Sequence, residues 1–300
     1  MLAWRNEDFC NIGKYLASNA NIASKVALLC RGLSVENKIW LHHQIARCKF
    51  AFESGGDICD LNGEEIIDLH RICTEFYPNI IKISDDLYAY NGYLLPCKIA
   101  AAEVFWYKHN LDIFAPQTLM AIRSKNIIDV GASIGDSAII FEREFCDREI
   151  YSFEPTKDRF ELMLKTLSLN HSTRIIPINK GLGARSAMQV IDSQIASMSV
   201  VSEGDLAEVI TLDSFVKDNN IEVGFIKVDI EGFEMEFLKG ALQTIKAQKP
   251  AMLISIYHSG EDYFGIKELI ESLNLGYSFK IYKGTDFTIT EETGLYCEIL

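Results

Sequence analysis

The chain has 300 residues, 48% of them hydrophobic and 24% charged, and a formal net charge of −13. A chain this long buries a sizeable core without staples, and its acidic balance argues against nucleic acid as the main partner, because phosphate binding needs a basic surface. The eight cysteines contain no C-x-x-C pair. They read as buried free thiols of a reducing cytosol rather than a zinc site. No apolar run reaches the roughly 18 residues of a membrane span, and residues 1–8 do not form a signal peptide. A cytoplasmic protein without a membrane span is expected.

Residues 1–80 read as helical, with Leu16, Ala20, Ala23, Ala27, Leu28, Ile39, Trp40 and Ile45 at helical spacing. The pattern breaks at 54–57, and a second amphipathic helix over 64–76 stops near Pro78. This stretch carries no recognisable chemistry. It is expected as a helical accessory layer, with a substrate lid or a dimer contact (hence a homodimer) as the functional alternatives. The period then changes. Residues 87–95 alternate around Asn91-Gly92, a strong hairpin signal. A helix with Phe105, Trp106 and Tyr107 fits 100–110, and Pro116 closes the section. The division predicted is an accessory region over 1–82 and a main domain over 83–300.

From residue 126 strands and helices alternate. Strands fit 127–130, 149–153, 175–178, 225–228, 252–257, 277–282 and 296–299. Helices fit 137–145, 157–169, 212–218, 234–247 and 263–274. This is an α/β pattern with a mostly parallel sheet covered on both faces. The last two strands lack a helix between them and are expected as an antiparallel edge hairpin. Ligands of such sheets bind beyond the carboxyl ends of the strands.

The polar signatures fall at those ends. After 126–130 comes a glycine turn at Gly131 and Gly135, spaced Gly-x-x-x-Gly rather than as the dinucleotide fingerprint. Glycine lets the backbone turn and a ligand approach closely, and the following helix start favours an anion. Glu154 lies 19 residues past Gly135, where an acid accepts from both hydroxyls of a ribose; a plain surface glutamate is the alternative. Asn179-Lys180-Gly181-Leu182-Gly183 is small and flexible enough to border a flat base. Asp229-Ile230-Glu231-Gly232-Phe233-Glu234 is an acidic turn at a helix start, where Glu231 and Glu234 could act as caps alone. Asp229 and Glu231 by themselves make a poor ligand set for Mg²⁺, so no metal is expected. Tyr257-His258 ends the next strand.

These motifs resemble the FkbM-type methyltransferases. The resemblance is carried by residues 225–240 (Phe-Ile-Lys-Val-Asp-Ile-Glu-Gly-Phe-Glu-Met-Glu-Phe-Leu-Lys-Gly). It is supported by 127–135, Phe153-Glu154-Pro155, 167–170 and 211–215 in the same order, and it covers residues about 85–283. It implies a Rossmann-like fold, S-adenosylmethionine (SAM) as cofactor, and methylation of a hydroxyl on a sugar, glycan or related small molecule. A bacterial glycan or cell-surface saccharide precursor is the acceptor class expected. On this reading Asp129 and the backbone of Gly131, Ala132 and Gly135 meet the amino-acid tail of SAM, and Glu154 meets its ribose. Asn179 and Lys180 border the adenine, and Asp229 stands where the methyl group points. Transfer to oxygen needs positioning and removal of a proton. His258 or Asp229 would be the base. Tyr88, Tyr90, Tyr93, Trp106 and Tyr107 could stack on a sugar or simply pack.

Three rivals remain. Gly131-Ala132-Ser133-Ile134-Gly135 also matches the nucleophile elbow of hydrolases, with Ser133, Asp229 and His258 in triad order. That scheme gives Glu154 no role. A nicotinamide oxidoreductase would lack its glycine fingerprint. A non-catalytic SAM-binding scaffold would bind the cofactor without turnover.

Overall fold

The chain opens on three helices, α1 (Glu7–Ser18), α2 (Ile22–Cys30) and α3 (Val35–Glu53). The structure is a computed structural model that describes residues 7–55, 61–98, 101–191, 205–283 and 289–300. The predicted break at 54–57 therefore falls partly outside the described residues. Helix α4 (Gly63–Arg71) starts from a capping box. The Asn62 side chain accepts from the Glu64 and Glu65 amides, and the Glu65 carboxylate accepts from the Asn62 amide. Four orphan amides open every helix, and such a box satisfies several of them. Asn62→Ala is expected to cost about 0.5–2 kcal/mol, read as a lower midpoint in urea unfolding with an unchanged slope.

The chain then tightens through Tyr77–Asn79 at Pro78 into three short antiparallel strands. These are β1 (Ile81–Ser84), β2 (Leu87–Tyr90) and β3 (Tyr93–Leu95). The β2–β3 turn places Asn91 and Gly92 at φ +46° and +80°, the left-handed pair that two-residue hairpins need. β1 is exposed along its whole length, so no alternation marks it in the sequence. The helix expected over 100–110 shrinks to α5 (Ala102–Phe105), followed by a left-handed run at Lys108, His109 and Asn110. Pro116 does not close this section. It occupies the first turn of α6 (Pro116–Ser124), where its missing N–H costs nothing.

The main sheet is built from β4 (Asn126–Val130), β5 (Ile150–Phe153), β6 (Ile175–Ile178), β10 (Val223–Val228), β11 (Ala251–Ser255), β12 (Ser278–Lys283) and β13 (Thr293–Glu298), in the order β12-β13-β11-β10-β4-β5-β6. The five central and right-hand strands run parallel, and β13 lies antiparallel to β11 and β12. The expected α/β sheet with an antiparallel edge pair is thus present. Between β6 and β10 lies a small sheet absent from the sequence reading: β7 (Gly181–Leu182), β8 (Ala187–Ile191) and β9 (Asp205–Ile210). The remaining helices are α7 (Asp136–Ile140), α8 (Lys157–Leu169), α9 (Leu212–Asn219), α10 (Glu234–Lys239), α11 (Leu242–Gln248) and α12 (Gly260–Ser272). The single helix expected over 234–247 is split at Gly240. A Cβ there would stand 2.0 Å from the Gly183 carbonyl oxygen.

Side chains alternate across the sheet. Ile128, Val130, Ile226, Val228, Met252 and Ile254 join one buried cluster, and Ile127, Phe225 and Leu253 join another with Ile122, Ile139 and Met163. The first cluster also contains Ile12, Leu29, Leu41 and Cys48. The N-terminal helices therefore share a core with the sheet. Chain order runs outward from β4 to β6 and then returns to β10 on β4's other side. The crevice between the ends of β4 and β10 is the topological switch point, where ligands of open α/β sheets bind. Among the described residues Cys30, Cys48, Cys146 and Cys297 are buried thiols, whereas Cys73 is exposed. The side chain of Cys10 and all of Cys59 lie outside the description. No described helix is long and apolar enough to cross a membrane.

Candidate active site

A cavity open to solvent lies at the switch point. Its wall includes Gly131, Ser133, Glu154, Pro155, Lys180 and Asp229. Gly131, Ser133 and Gly135 all take positive φ in the turn after β4. The structure gives Gly131 a reason beyond ligand approach. A Cβ on it would stand 1.9 Å from the Asp229 carbonyl oxygen, so glycine lets the two strand-end loops touch. Gly135 does the same against Met163 of α8.

The turn's amides are not free for an anionic ligand. Gly131 and Ala132 both donate to the Phe153 carbonyl, at 3.1 and 2.9 Å, and Gly135 donates to Ala132. Ala132 is itself buried in the core. The expectation that these amides receive a carboxylate is therefore corrected: they tie β4's end to β5's end. The Ser133 amide, in turn, donates to Glu154 Oε2 at 3.0 Å.

Glu154 faces the cavity, 4% exposed. Its Oε1 accepts from the Thr156 amide and hydroxyl. Burial pushes its carboxyl up, and these donors with Arg159 oppose the push. A carboxylate offers about four lone-pair sites. Three are taken, which leaves room for one strong bond to a ligand hydroxyl rather than two. Asn179 does not line the cavity. Its amide donates to the carbonyls of Glu154 and Pro155 and so staples the wall from behind. Lys180 does line it, paired with Glu208 at 2.8 Å.

Asp129 is fully buried beneath the cavity rather than in its wall. It faces Lys227 across the β4–β10 pairing, 3.7 Å from the ammonium, and neither of its oxygens has a hydrogen-bond partner. Burial pushes its carboxyl up to about 6, against the pull of Lys227. Lys227 also sits 3.8 Å from Asp229 and donates to the Gly131 carbonyl. Burial alone would raise Asp229, but Lys227 and His258 overcome that and hold it below the usual carboxylate range.

His258 stands behind the loop after β10, 5% exposed. Its Nδ1 lies 3.0 Å from Glu234, and its Nε2 lies 3.6 Å from Asp229 and 3.5 Å from Glu231. Burial favours the neutral ring, yet the three carboxylates prevail and push it up to about 10. A ring that holds both protons at neutral pH cannot take a third from an acceptor hydroxyl. The expected role of His258 as base does not fit this arrangement. Ser133 also lacks its triad partner. Its hydroxyl accepts from Arg159, and no hydrogen bond joins it to His258.

Sequence reasoning missed Glu103, His109, Asp136, Arg159 and Lys227, all in the cavity wall. Lys227 left a signal, a charge inside an apolar strand. Glu103 and His109 left none, because their segment folds back over the sheet from outside the alternating region. Burial, with Asp136, Asp229 and Glu291 nearby, pushes Glu103 up to about 8. Burial and Lys227 push His109 down to about 3, and its Nε2 lies 2.9 Å from the Ser137 hydroxyl. Glu103, His109, Lys227 and Asp229 also line an adjoining recess with Asn110, Ser255, Glu292 and Tyr296. The aromatic group of the 87–107 segment packs instead. Tyr90 and Trp106 meet Phe76, Tyr93 meets Phe105, and none of them lines the cavity.

The model of the methyltransferase FkbM domain matches residues 129–279, just over half the chain. The chain belongs to the FkbM methyltransferase family. It is 26% identical over 210 residues to the hexuronic acid methyltransferase AglP of Haloferax volcanii, which covers 66% of this chain and 85% of that protein. Its fold matches the crystal structure of a methyltransferase FkbM from Methylobacillus flagellatus KT with a TM-score of 0.58 at 21% identity. That match covers 96% of this chain and 60% of the other, so this chain spans less than two thirds of that protein's length.

As an FkbM methyltransferase, the protein is an enzyme that uses SAM as its methyl donor. The cavity's chemistry suits that group. Four carboxylates (Asp136, Glu154, Asp229, Glu231) face three cationic side chains (Arg159, Lys180, Lys227) in its wall, beside Glu103, whose carboxyl burial pushes up to about 8. A net negative wall complements a ligand that carries a sulfonium and an ammonium against one carboxylate.

Proposed function

We propose that this FkbM methyltransferase O-methylates a hydroxyl of a saccharide, with a uronic acid unit as the first acceptor to try. One observation carries the reading: the cavity continues into a recess with polar walls, and the two share Glu103, His109, Lys227 and Asp229. Asn110, Ser255, Glu292 and Tyr296 add donors and acceptors suited to a polyhydroxylated ring. The relative from Haloferax volcanii is named for a hexuronic acid.

SAM supplies an electrophilic methyl group on its sulfonium. Glu154 holds a ribose hydroxyl, fixed beforehand by Ser133 and Thr156. Lys180 and Arg159 serve the ligand's carboxylate or the adenine edge, and Asp229 faces the positive end. Glu103 stands where cavity and recess meet, and its ionised form, which gains population as the pH rises toward about 8, would take the acceptor's proton as its oxygen attacks. Residues 1–82 would serve as an accessory layer, with α1 and α2 packed on α12 and α3 on β12.

The test is thermal unfolding with S-adenosylhomocysteine, with NADH as control, followed by mass analysis of saccharides incubated with SAM. At 100 times its dissociation constant the ligand adds about 2.7 kcal/mol, or a rise of roughly 5–11 °C. Glu154→Ala removes a hydrogen bond to a charged group, worth about 1.5–3 kcal/mol. It is expected to weaken S-adenosylhomocysteine by about 10- to 150-fold and to erase most of the shift. Stabilisation without a mass gain of one methyl on any hydroxylated acceptor would favour the scaffold reading. An unshifted Glu154→Ala affinity would remove Glu154 from the site.

A further inference from the structure

The Lys108–Asn110 run borders the recess with all three residues left-handed, at φ +52°, +54° and +49°. Residues with a Cβ enter that region singly, because the carbonyl crowds the Cβ. Away from the site such residues have a local reason. Asn91 turns a hairpin, and His171, Asn220, Lys249 and Asn274 follow the ends of α8, α9, α11 and α12. The run at 108–110 is held by partners from other elements. Lys108 pairs with Glu144, His109 Nε2 lies 2.9 Å from the Ser137 hydroxyl, and the Tyr296 hydroxyl donates to the His109 carbonyl at 2.8 Å. Conformations enforced in this way gather at functional sites.

The Asn110 side chain takes no part in that scaffolding. Its Nδ2 is buried and has no hydrogen-bond partner, and the residue lines the recess. The Tyr296 hydroxyl is nearby, but its proton goes to the His109 carbonyl, and Nδ2 does not meet its oxygen in bonding geometry. A buried donor left without an acceptor is costly, so native proteins rarely keep one without a use. The same recess is lined by Glu103, Asp229 and Glu292, and Asp229 Oδ1 is likewise buried without a hydrogen bond. A ligand carboxylate offered to Nδ2 would meet those three acids. A hydroxyl suits both sides, because its oxygen accepts from the amide while its proton goes to a carboxylate.

We propose that Asn110 selects the acceptor by donating from Nδ2 to a ring hydroxyl next to the one that is methylated. The attacking hydroxyl faces Glu103, and its neighbour on the ring fills the bond that Asn110 leaves open. The substrate so described carries two neighbouring hydroxyls, as a pyranose ring does. This assignment rests on the saccharide reading.

The experiment is calorimetric titration of the S-adenosylhomocysteine complex with methyl β-D-glucuronide and with methyl β-D-glucoside. Asn110→Gly keeps the left-handed backbone without steric cost and removes the amide. Asn110 lines the recess and not the cavity, so the variant is expected to keep the native thermal midpoint and affinity for S-adenosylhomocysteine. It should bind the sugar about 2- to 12-fold more weakly, the worth of one neutral hydrogen bond. In the native complex the nuclear magnetic resonance signals of the Asn110 side-chain NH2 should move when sugar is added, a readout that needs no variant. Sugar binding unchanged in Asn110→Gly, or NH2 signals that stay in place while the sugar binds, overturns the assignment and leaves Asn110 as a residue of the turn alone. A native complex that binds neither sugar removes the saccharide reading and this assignment together, so the two failures are told apart.

Discussion

Lys227→Met is expected to destabilise the protein by about 3–5 kcal/mol, the cost of leaving a buried charge without its partner. The change removes little volume and keeps an unbranched chain in the middle of β10. What it removes is the ammonium 3.7 Å from Asp129 and 3.8 Å from Asp229, and a hydrogen bond to the Gly131 carbonyl. Asp129 then sits fully buried with no hydrogen-bond partner at either oxygen. Chemical denaturation read by circular dichroism measures the loss directly. The pairing itself is tested by a double-mutant cycle. Asp129→Asn should be costly in the native background and close to neutral, or stabilising, beside Lys227→Met. Equal costs in both backgrounds would show that the two side chains do not depend on each other.

The same pair marks where sequence reasoning stops. Period and turn chemistry made the strands at 126–130, 150–153, 175–178 and 223–228 legible, together with the Asn91-Gly92 hairpin, because each is decided by neighbours in the chain. The glycine turn and Glu154 could be found for the same reason: strand, turn, helix and acid follow one another at short range. Asp129 and Lys227 lie 98 residues apart, and only the β4–β10 register brings them face to face. Strand alternation predicts that each points to one side, but not that it is the same side. In the sequence the turn's amides look like free donors, because the acceptor of Gly131 and Ala132, the Phe153 carbonyl, comes from the next strand. In the sequence His258 is a lone histidine at a strand end, because its three carboxylate neighbours precede it by more than twenty residues. The small sheet of β7, β8 and β9 escaped because β7 has only two residues and β8 is partly exposed without a clean alternation.

Glu103→Gln is expected to lower kcat by about 10²- to 10⁴-fold, the usual contribution of a general base, while S-adenosylhomocysteine binds as before. The carboxylate lines both the cavity and its recess, so an acceptor hydroxyl placed beside the methyl group comes within its reach. The alternatives at that junction are worse proton acceptors. Lys227 is held as a cation between two carboxylates, and Asp229 is already engaged with Lys227 and His258. Neutral His109 turns its Nε2 to Ser137. Glutamine keeps the shape and polarity of Glu103 and removes only the ability to accept a proton, so folding and cofactor affinity serve as internal controls. A base lost from the transition state lowers kcat and kcat/KM together, whereas a lost acceptor contact raises KM with kcat unchanged. Single-turnover rates with saturating acceptor separate the two. A fall in kcat with an unchanged dissociation constant for S-adenosylhomocysteine, partly restored in Glu103→Asp, would fix the proton's destination. A rise in KM alone would make Glu103 a residue that positions the acceptor and send the search for the base to the next group in the recess, Glu292, which burial pushes well above the usual carboxylate range.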